Sequence, residues 1–92
     1  MNKFKNNLTY KISEGERIKG FSPELIRKAK IKIFIVLSAR TLETLTIPPS
    51  NRLEKLVGNR KGQYSIRVND KYRLCFDWVE NEAFNIEFVD YH

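Results

Sequence analysis

From Gln63 onward the chain alternates apolar and polar residues, and it does so three times in succession. Tyr64, Ile66 and Val68 alternate with Ser65 and Arg67. Tyr72, Leu74, Phe76 and Trp78 alternate with Arg73, Cys75 and Asp77, and Phe84, Ile86 and Phe88 alternate with Asn85 and Glu87. Successive side chains of a strand point to opposite faces, so each segment reads as a strand with one apolar face. Asn69-Asp70-Lys71 and Glu80-Asn81-Glu82 separate the segments. Connections this short join antiparallel neighbours, and the expectation is a three-stranded meander with one face packed and one face polar.

The pairing register follows from the same pattern. Directly opposed residues share a face, so apolar residues must oppose apolar ones. A loop of Asn69-Asp70 alone sets Ile66 against Arg73 and fails. A loop of Asn69 to Lys71 sets Val68 against Tyr72, Ile66 against Leu74 and Tyr64 against Phe76. For the second hairpin the same test sets Trp78 against Phe84 and Phe76 against Ile86.

A helix must cover the apolar face. Ser22-Pro23-Glu24 is a start signal: serine caps, proline fits the first helical position and glutamate suits the positive end of the dipole. The helix is expected from Pro23 to about Leu45, where Thr46-Ile47-Pro48-Pro49-Ser50 leads into a loop. Ile31, Ile35, Ser38, Leu42 and Leu45 read as its core stripe, and Ile26, Ala29, Ile33 and Leu37 as a second stripe. Between Ile31 and Leu37 the helix is apolar nearly all round. It is either a core helix under the sheet or a helix whose outer face a partner protein covers. Residues 1–20 fit either period: Phe4, Leu8 and Ile12 recur at helical spacing, while Leu8, Tyr10 and Ile12 alternate. The fold class is α+β, with N-terminal helices on one face of a small antiparallel sheet and residues 1–92 as a single domain.

The chain has 92 residues, a hydrophobic fraction of 41% and a formal net charge of +6. That balance points to an anionic partner, nucleic acid before membrane. No apolar stretch approaches the roughly 20 residues of a membrane span, nothing at the start resembles a signal peptide, and the expected location is the cytoplasm. One cysteine suits a reducing compartment. One cysteine and one histidine cannot furnish a zinc shell, so neither a metal nor a cofactor is expected. Residues 47–73 hold seven basic and two acidic groups, while residues 74–92 hold five acidic and no basic ones. Part of the acidic segment must therefore fold back beside the basic one.

Arg52, Lys55, Arg60, Lys61, Arg67 and Lys71 are candidates for contacting a polyanion such as RNA. The register sets Arg67 directly opposite Arg73 on the polar face, which destabilises a sheet unless an anion or acidic neighbours such as Asp77 and Glu87 relieve it. A phosphate held by both guanidinium forks is the functional reading. Gly58-Asn59-Arg60-Lys61-Gly62 is a glycine-bounded basic loop, read equally as an anion nest or a solvated turn. Asp90-Tyr91-His92 follows the last strand, and Tyr91 falls on the Arg67/Arg73 face if the strand geometry persists. His92 titrates near neutral pH and, with the terminal carboxylate favouring its imidazolium, suits a general acid. Cys75 reads as a packing residue of the central strand.

With these residues in place, the second half resembles the HigB toxins of the RelE/ParE superfamily of toxin–antitoxin systems. The matching run is Asn51-Arg52-Leu53-Glu54, Leu56, Gly58-Asn59-Arg60, Gly62 to Asp70, Tyr72 to Phe76, Trp78 and Asp90-Tyr91-His92. The first half matches loosely, through a Phe near the start and Gly20-Phe21-Ser22-Pro23. The resemblance implies the RelE-like microbial RNase fold and a ribosome-dependent endoribonuclease that cleaves mRNA without metal, by attack of the ribose 2′-hydroxyl. It implies that Arg73, Tyr91 and His92 form the cleavage site, with Asp90 in support. Arg73 would stabilise the phosphorus, and His92, assisted by Tyr91, would transfer the proton. Some members carry a histidine at the position of Glu54 and a lysine at that of Val57. Glu54 is therefore a candidate base, or alternatively a solvated loop residue.

The implied partners are mRNA on the ribosome and a HigA-type helix-turn-helix antitoxin, with operator DNA reached only through the antitoxin complex. Two other readings stand beside this one. A ParE-like toxin would inhibit a topoisomerase without cleaving anything, and a degenerate module would retain only the antitoxin contact. The Asp90-Tyr91-His92 ending argues against the first.

Overall fold

The computed structural model describes residues 2–90. Its elements are helices α1 (Asn7–Ser13) and α2 (Pro23–Ser38), then strands β1 (Glu54–Lys55), β2 (Gln63–Arg67), β3 (Tyr72–Val79) and β4 (Glu82–Asp90). Short 3-10 turns at Glu43–Thr46, Pro49–Asn51 and Gly58–Arg60 lie between α2 and β2. The strands form one antiparallel sheet in the order β1-β2-β3-β4, with both helices on one face. The architecture is the α+β arrangement expected.

Residues 1–20 resolve toward a helix. The Asn6 side chain caps α1, accepting from the Thr9 N–H at 2.9 Å. Thr9 is itself buried: its hydroxyl donates to Asn6 Oδ1 at 2.7 Å and accepts from the Phe88 N–H at 3.0 Å, fastening α1 to β4. The preceding residues run beside β4 in a parallel bridge between Phe4 and Ile86. Asn2, Lys3 and Lys5 exchange backbone hydrogen bonds with Asn85 and Ile86 there.

Helix α2 starts where the cap signal places it, with Ser22 Oγ accepting from the Leu25 N–H at 3.1 Å. It ends at Ser38, seven residues before the expected Leu45. Ala39 turns extended and drops into the core, and Thr41 Oγ1 then accepts from the Thr44 N–H at 3.2 Å. Such hydroxyl bonds to the local backbone compete with the helical ladder, which is why the pattern continues and the helix does not. The core stripe also differs from the expected one. Ile26, Ala29, Ile33 and Val36 are buried, whereas Ile31 is 54% exposed.

The first hairpin keeps the expected register: Tyr64 opposes Phe76, Ile66 opposes Leu74 and Arg67 opposes Arg73. Its loop is locked by Asn69 Oδ1, which accepts from the N–H groups of Lys71 (2.9 Å) and Tyr72 (2.8 Å). The second hairpin departs by one residue, with Trp78 opposite Ala83 and Asp77 opposite Phe84. A bulge at Asn85, whose φ is 53°, restores Leu74 to Phe88 and returns Ile86 to the core. Phe84 is thereby turned to the other face, where its ring receives Lys3 Nζ at 4.1 Å. The fourth strand, β1, was not expected; two residues are too few for a periodic signal.

Candidate active site on the face away from the helices

Four side chains form a row across the four strands. Glu54 pairs with Ser65, Ser65 with Cys75, and Cys75 with Glu87, so all four occupy the sheet face away from the helices. Arg73 stands in the next row and reaches back across β2. Its Nε donates to Ser65 Oγ at 2.9 Å, and its Nη2 donates to the Arg52 carbonyl at 2.6 Å. The same nitrogen lies 3.4 Å from the Ser65 carbonyl and 3.7 Å from the Glu54 carboxylate. Arg73 is only 6% exposed, and a buried guanidinium is held in place when its donors are met in this way.

The opposed pair Arg67 and Arg73 is relieved by the protein itself. Arg67 turns to Asp70, three residues on, while Arg73 turns the other way to Arg52, Ser65 and Glu54. No shared phosphate is needed to reconcile them. The acidic neighbours expected for this task are engaged elsewhere: Glu87 accepts from Arg60 at 3.1 Å, and Asp77 accepts from Gln63 (3.2 Å) and Asn85 (2.7 Å).

The acidic segment does fold back onto the basic one. Besides the Arg60–Glu87 pair, Lys71 Nζ lies 3.8 Å from Asp90, whose strand position opposes Tyr72. Arg60 is further held by Gln63 Oε1 at 3.0 Å, which shapes the glycine-bounded loop, where Gly58 and Gly62 adopt positive φ. Arg52, Lys55 and Lys61 are exposed. A hollow of about 600 Å³ is lined by the basic Lys5, Arg60 and Lys61, the acidic Asp77 and Glu87, and the neutral Asn59 and Gln63. Lys5 joins this patch through the parallel bridge to β4, a contact between opposite ends of the chain that no local pattern announces.

Cys75 lies fully buried in the centre of the row, and burial, with Glu87 adding to it, pushes its thiol up despite nearby Arg60 and Arg73. It is a protonated packing group. Glu54, by contrast, has a half-exposed carboxylate at the sheet edge and can meet a solvent-borne substrate and Arg73 at once. Tyr91, expected on this face, and His92, expected to transfer the proton, lie outside the described residues. Among the described residues no group of three or more His, Cys, Asp or Glu is placed to hold a metal ion, and no helix is long and apolar enough to cross a membrane. Ser65 and Asn51 were not singled out in the sequence; both owe their importance to what they touch across the fold.

Residues 2–92 match the family model described as the RelE-like toxin of type II toxin-antitoxin system HigB. Toxin HigB-1 of Vibrio cholerae serotype O1 is 40% identical over 90 residues, spanning 97% of this chain and 94% of that relative. Endoribonuclease HigB of Proteus vulgaris is 34% identical over 41 residues, 45% of each chain. Among solved structures, the YoeB-YefM complex from Staphylococcus aureus matches with a TM-score of 0.51 and 18% identity, over 100% of this chain and 97% of that one. That likeness concerns the fold.

Proposed function

The chain belongs to the RelE-like HigB toxins of type II toxin–antitoxin systems, and from that premise we propose that it is an endoribonuclease cleaving mRNA on the ribosome. The observation that carries the proposal is the Arg73 guanidinium, fixed by Ser65 and the Arg52 carbonyl beside the Glu54 carboxylate. Cleavage needs a base, a cationic stabiliser and an acid. Glu54 takes the proton of a ribose 2′-hydroxyl, whose oxygen attacks the adjacent phosphorus. Arg73 stabilises the added negative charge at that phosphorus. His92, assisted by Tyr91 and supported by Asp90, gives a proton to the departing 5′-oxygen. The products are a 2′,3′-cyclic phosphate and a 5′-hydroxyl. Arg52, Lys55, Arg60, Lys61, Arg67 and Lys71 hold the RNA backbone around the site.

The antitoxin is a HigA-type helix-turn-helix protein, and operator DNA is bound through that complex in the cytoplasm. Support for its docking place comes from α2. Phe34 is 68% exposed and Ile31 54%, flanked by exposed Arg27, Lys28 and Lys30. A hollow of about 310 Å³ at Phe34 is lined also by Phe4, Ile33, Leu37, Lys30 and Glu14. An amphipathic segment with acidic margins fits this surface, on the opposite side of the sheet from Arg73.

The test is purified protein on programmed ribosomes, with the 5′ ends of the cut mRNA mapped and Arg73→Ala beside the parent. Cleavage by the parent and its loss in the variant are expected; intact mRNA under a protein that still binds its antitoxin overturns the proposal.

A further inference from the structure

Asn51 is fully buried, and each polar atom of its side chain is engaged. Its Nδ2 donates to the carbonyls of Leu45 and Ile47, each at 3.2 Å, and its Oδ1 accepts from Lys32 Nζ of α2. One amide thus ties the long connection after α2 to itself and to the helix. Leaving any of these buried groups without a partner costs more than the bond contributes, so the arrangement is fixed as a unit. The next residue, Arg52, has φ 47° and ψ 58°, the left-handed region that a residue with a Cβ adopts only at a cost of about 1–2 kcal/mol. Its N–H donates to the Pro49 carbonyl at 3.0 Å, closing the turn that Asn51 ends. This left-handed turn aims the Arg52 carbonyl at Arg73 Nη2, 2.6 Å away.

We propose that Asn51 is a positioning residue for Arg73, acting through the Arg52 carbonyl. Asn51 touches no substrate. It sets where that carbonyl stands, and the carbonyl sets the angle at which the guanidinium faces Glu54 and an incoming phosphate. The catalytic part of this inference rests on the endoribonuclease reading; the positioning part does not.

The test uses Asn51→Asp, which keeps the acceptor for Lys32 and removes both donors, and Lys32→Met, a milder change that removes only the tether from α2. The first readout is hydrogen exchange at the Arg73 side-chain N–H groups, followed by NMR in the whole protein. Exchange is expected to accelerate about tenfold or more in a folded Asn51→Asp, with Lys32→Met intermediate. The second is a double-mutant cycle with Arg73→Ala on ribosome-bound mRNA. Asn51→Asp is expected to lower kcat about 10- to 100-fold with KM little changed, and to add nothing once Arg73 is gone. Unchanged Arg73 exchange in a folded variant, or losses that multiply in the double mutant, overturn the proposal. If Asn51→Asp does not fold, the same two outcomes are read from Lys32→Met. A parent that cleaves nothing defeats the endoribonuclease reading, and Arg73 exchange alone then decides for or against Asn51.

Discussion

Glu54 and Arg73 come from strands that are not neighbours, yet their charged ends lie 3.7 Å apart because Ser65, on the strand between, is small enough for the guanidinium to pass over it. Glu54 pairs with Ser65, and Ser65 with Cys75, so the carboxylate and the arginine approach the same point from opposite sides. Sheet geometry brings the two side chains together, and the turn at Asn51 and Arg52 anchors the guanidinium.

Replacing Glu54 by Gln removes the charge and keeps the shape. The carboxylate is half exposed and the pair longer than a hydrogen bond, so stability should change by less than about 1 kcal/mol. Cleavage should fall about 100-fold or more if Glu54 is the base. Denaturant midpoints and single-turnover cleavage measure the two separately; full cleavage by Glu54→Gln would remove it from the proton-transfer role.

Ser65→Ala takes away the acceptor of the Arg73 Nε–H inside a buried site. The unsatisfied donor should cost about 1–3 kcal/mol of stability, seen in urea unfolding. Cleavage should fall too, because a guanidinium that loses one anchor samples more positions. Ser65→Thr, which retains a hydroxyl, should recover part of both.

Lys32 gives a dependence on alkaline pH. Burial, then Lys28 and Arg67, hold its folded-state pKa below 10.5. In the window just below 10.5 the unfolded chain therefore binds more protons than the folded one, and this residue's contribution to stability rises with pH there. The difference in urea midpoint between parent and Lys32→Met should shift in the parent's favour as pH climbs toward 10.5. A flat difference contradicts the shift.

Phe34→Glu should leave folding stability within about 0.5 kcal/mol, since the ring is largely exposed. If the antitoxin docks on α2, its affinity should drop about 10- to 100-fold, while cleavage by the free protein stays as in the parent. Calorimetric titration with the antitoxin checks this; unchanged affinity would move the docking surface elsewhere.

The parts of this molecule readable in its sequence are those governed by neighbours in the chain. The β2–β3 register needed only period-two alternation and the turn-forming Asn69, and both are local. The β3–β4 register needed knowledge that Asn85 would take a positive φ, and nothing adjacent to Asn85 dictates it. The end of α2 was hidden because Leu42 and Leu45 keep helical spacing after Ser38, although they reach the core from a loop and a 3-10 turn. Arg73 and Glu54 were both visible as candidates. The family resemblance put both in one site, but their direct approach across Ser65 could not be read, because it depends on β1, a strand of two residues recognisable only from its partner β2. Ser65 and Asn51 are silent in the sequence because each meets a distant partner, Arg73 for Ser65 and Lys32 of α2 for Asn51.

The segment beside β4 bears on how this small sheet can be recognised at all. Backbone groups of Asn2, Lys3 and Lys5 already engage Asn85 and Ile86, and the opposite border is a strand of two charged residues. Among the described residues, neither border offers the long run of unsatisfied N–H and C=O groups that another polypeptide would need to extend the sheet. At these borders recognition falls to side chains rather than to an added strand, and side chains are free to vary where a shared backbone shape is not.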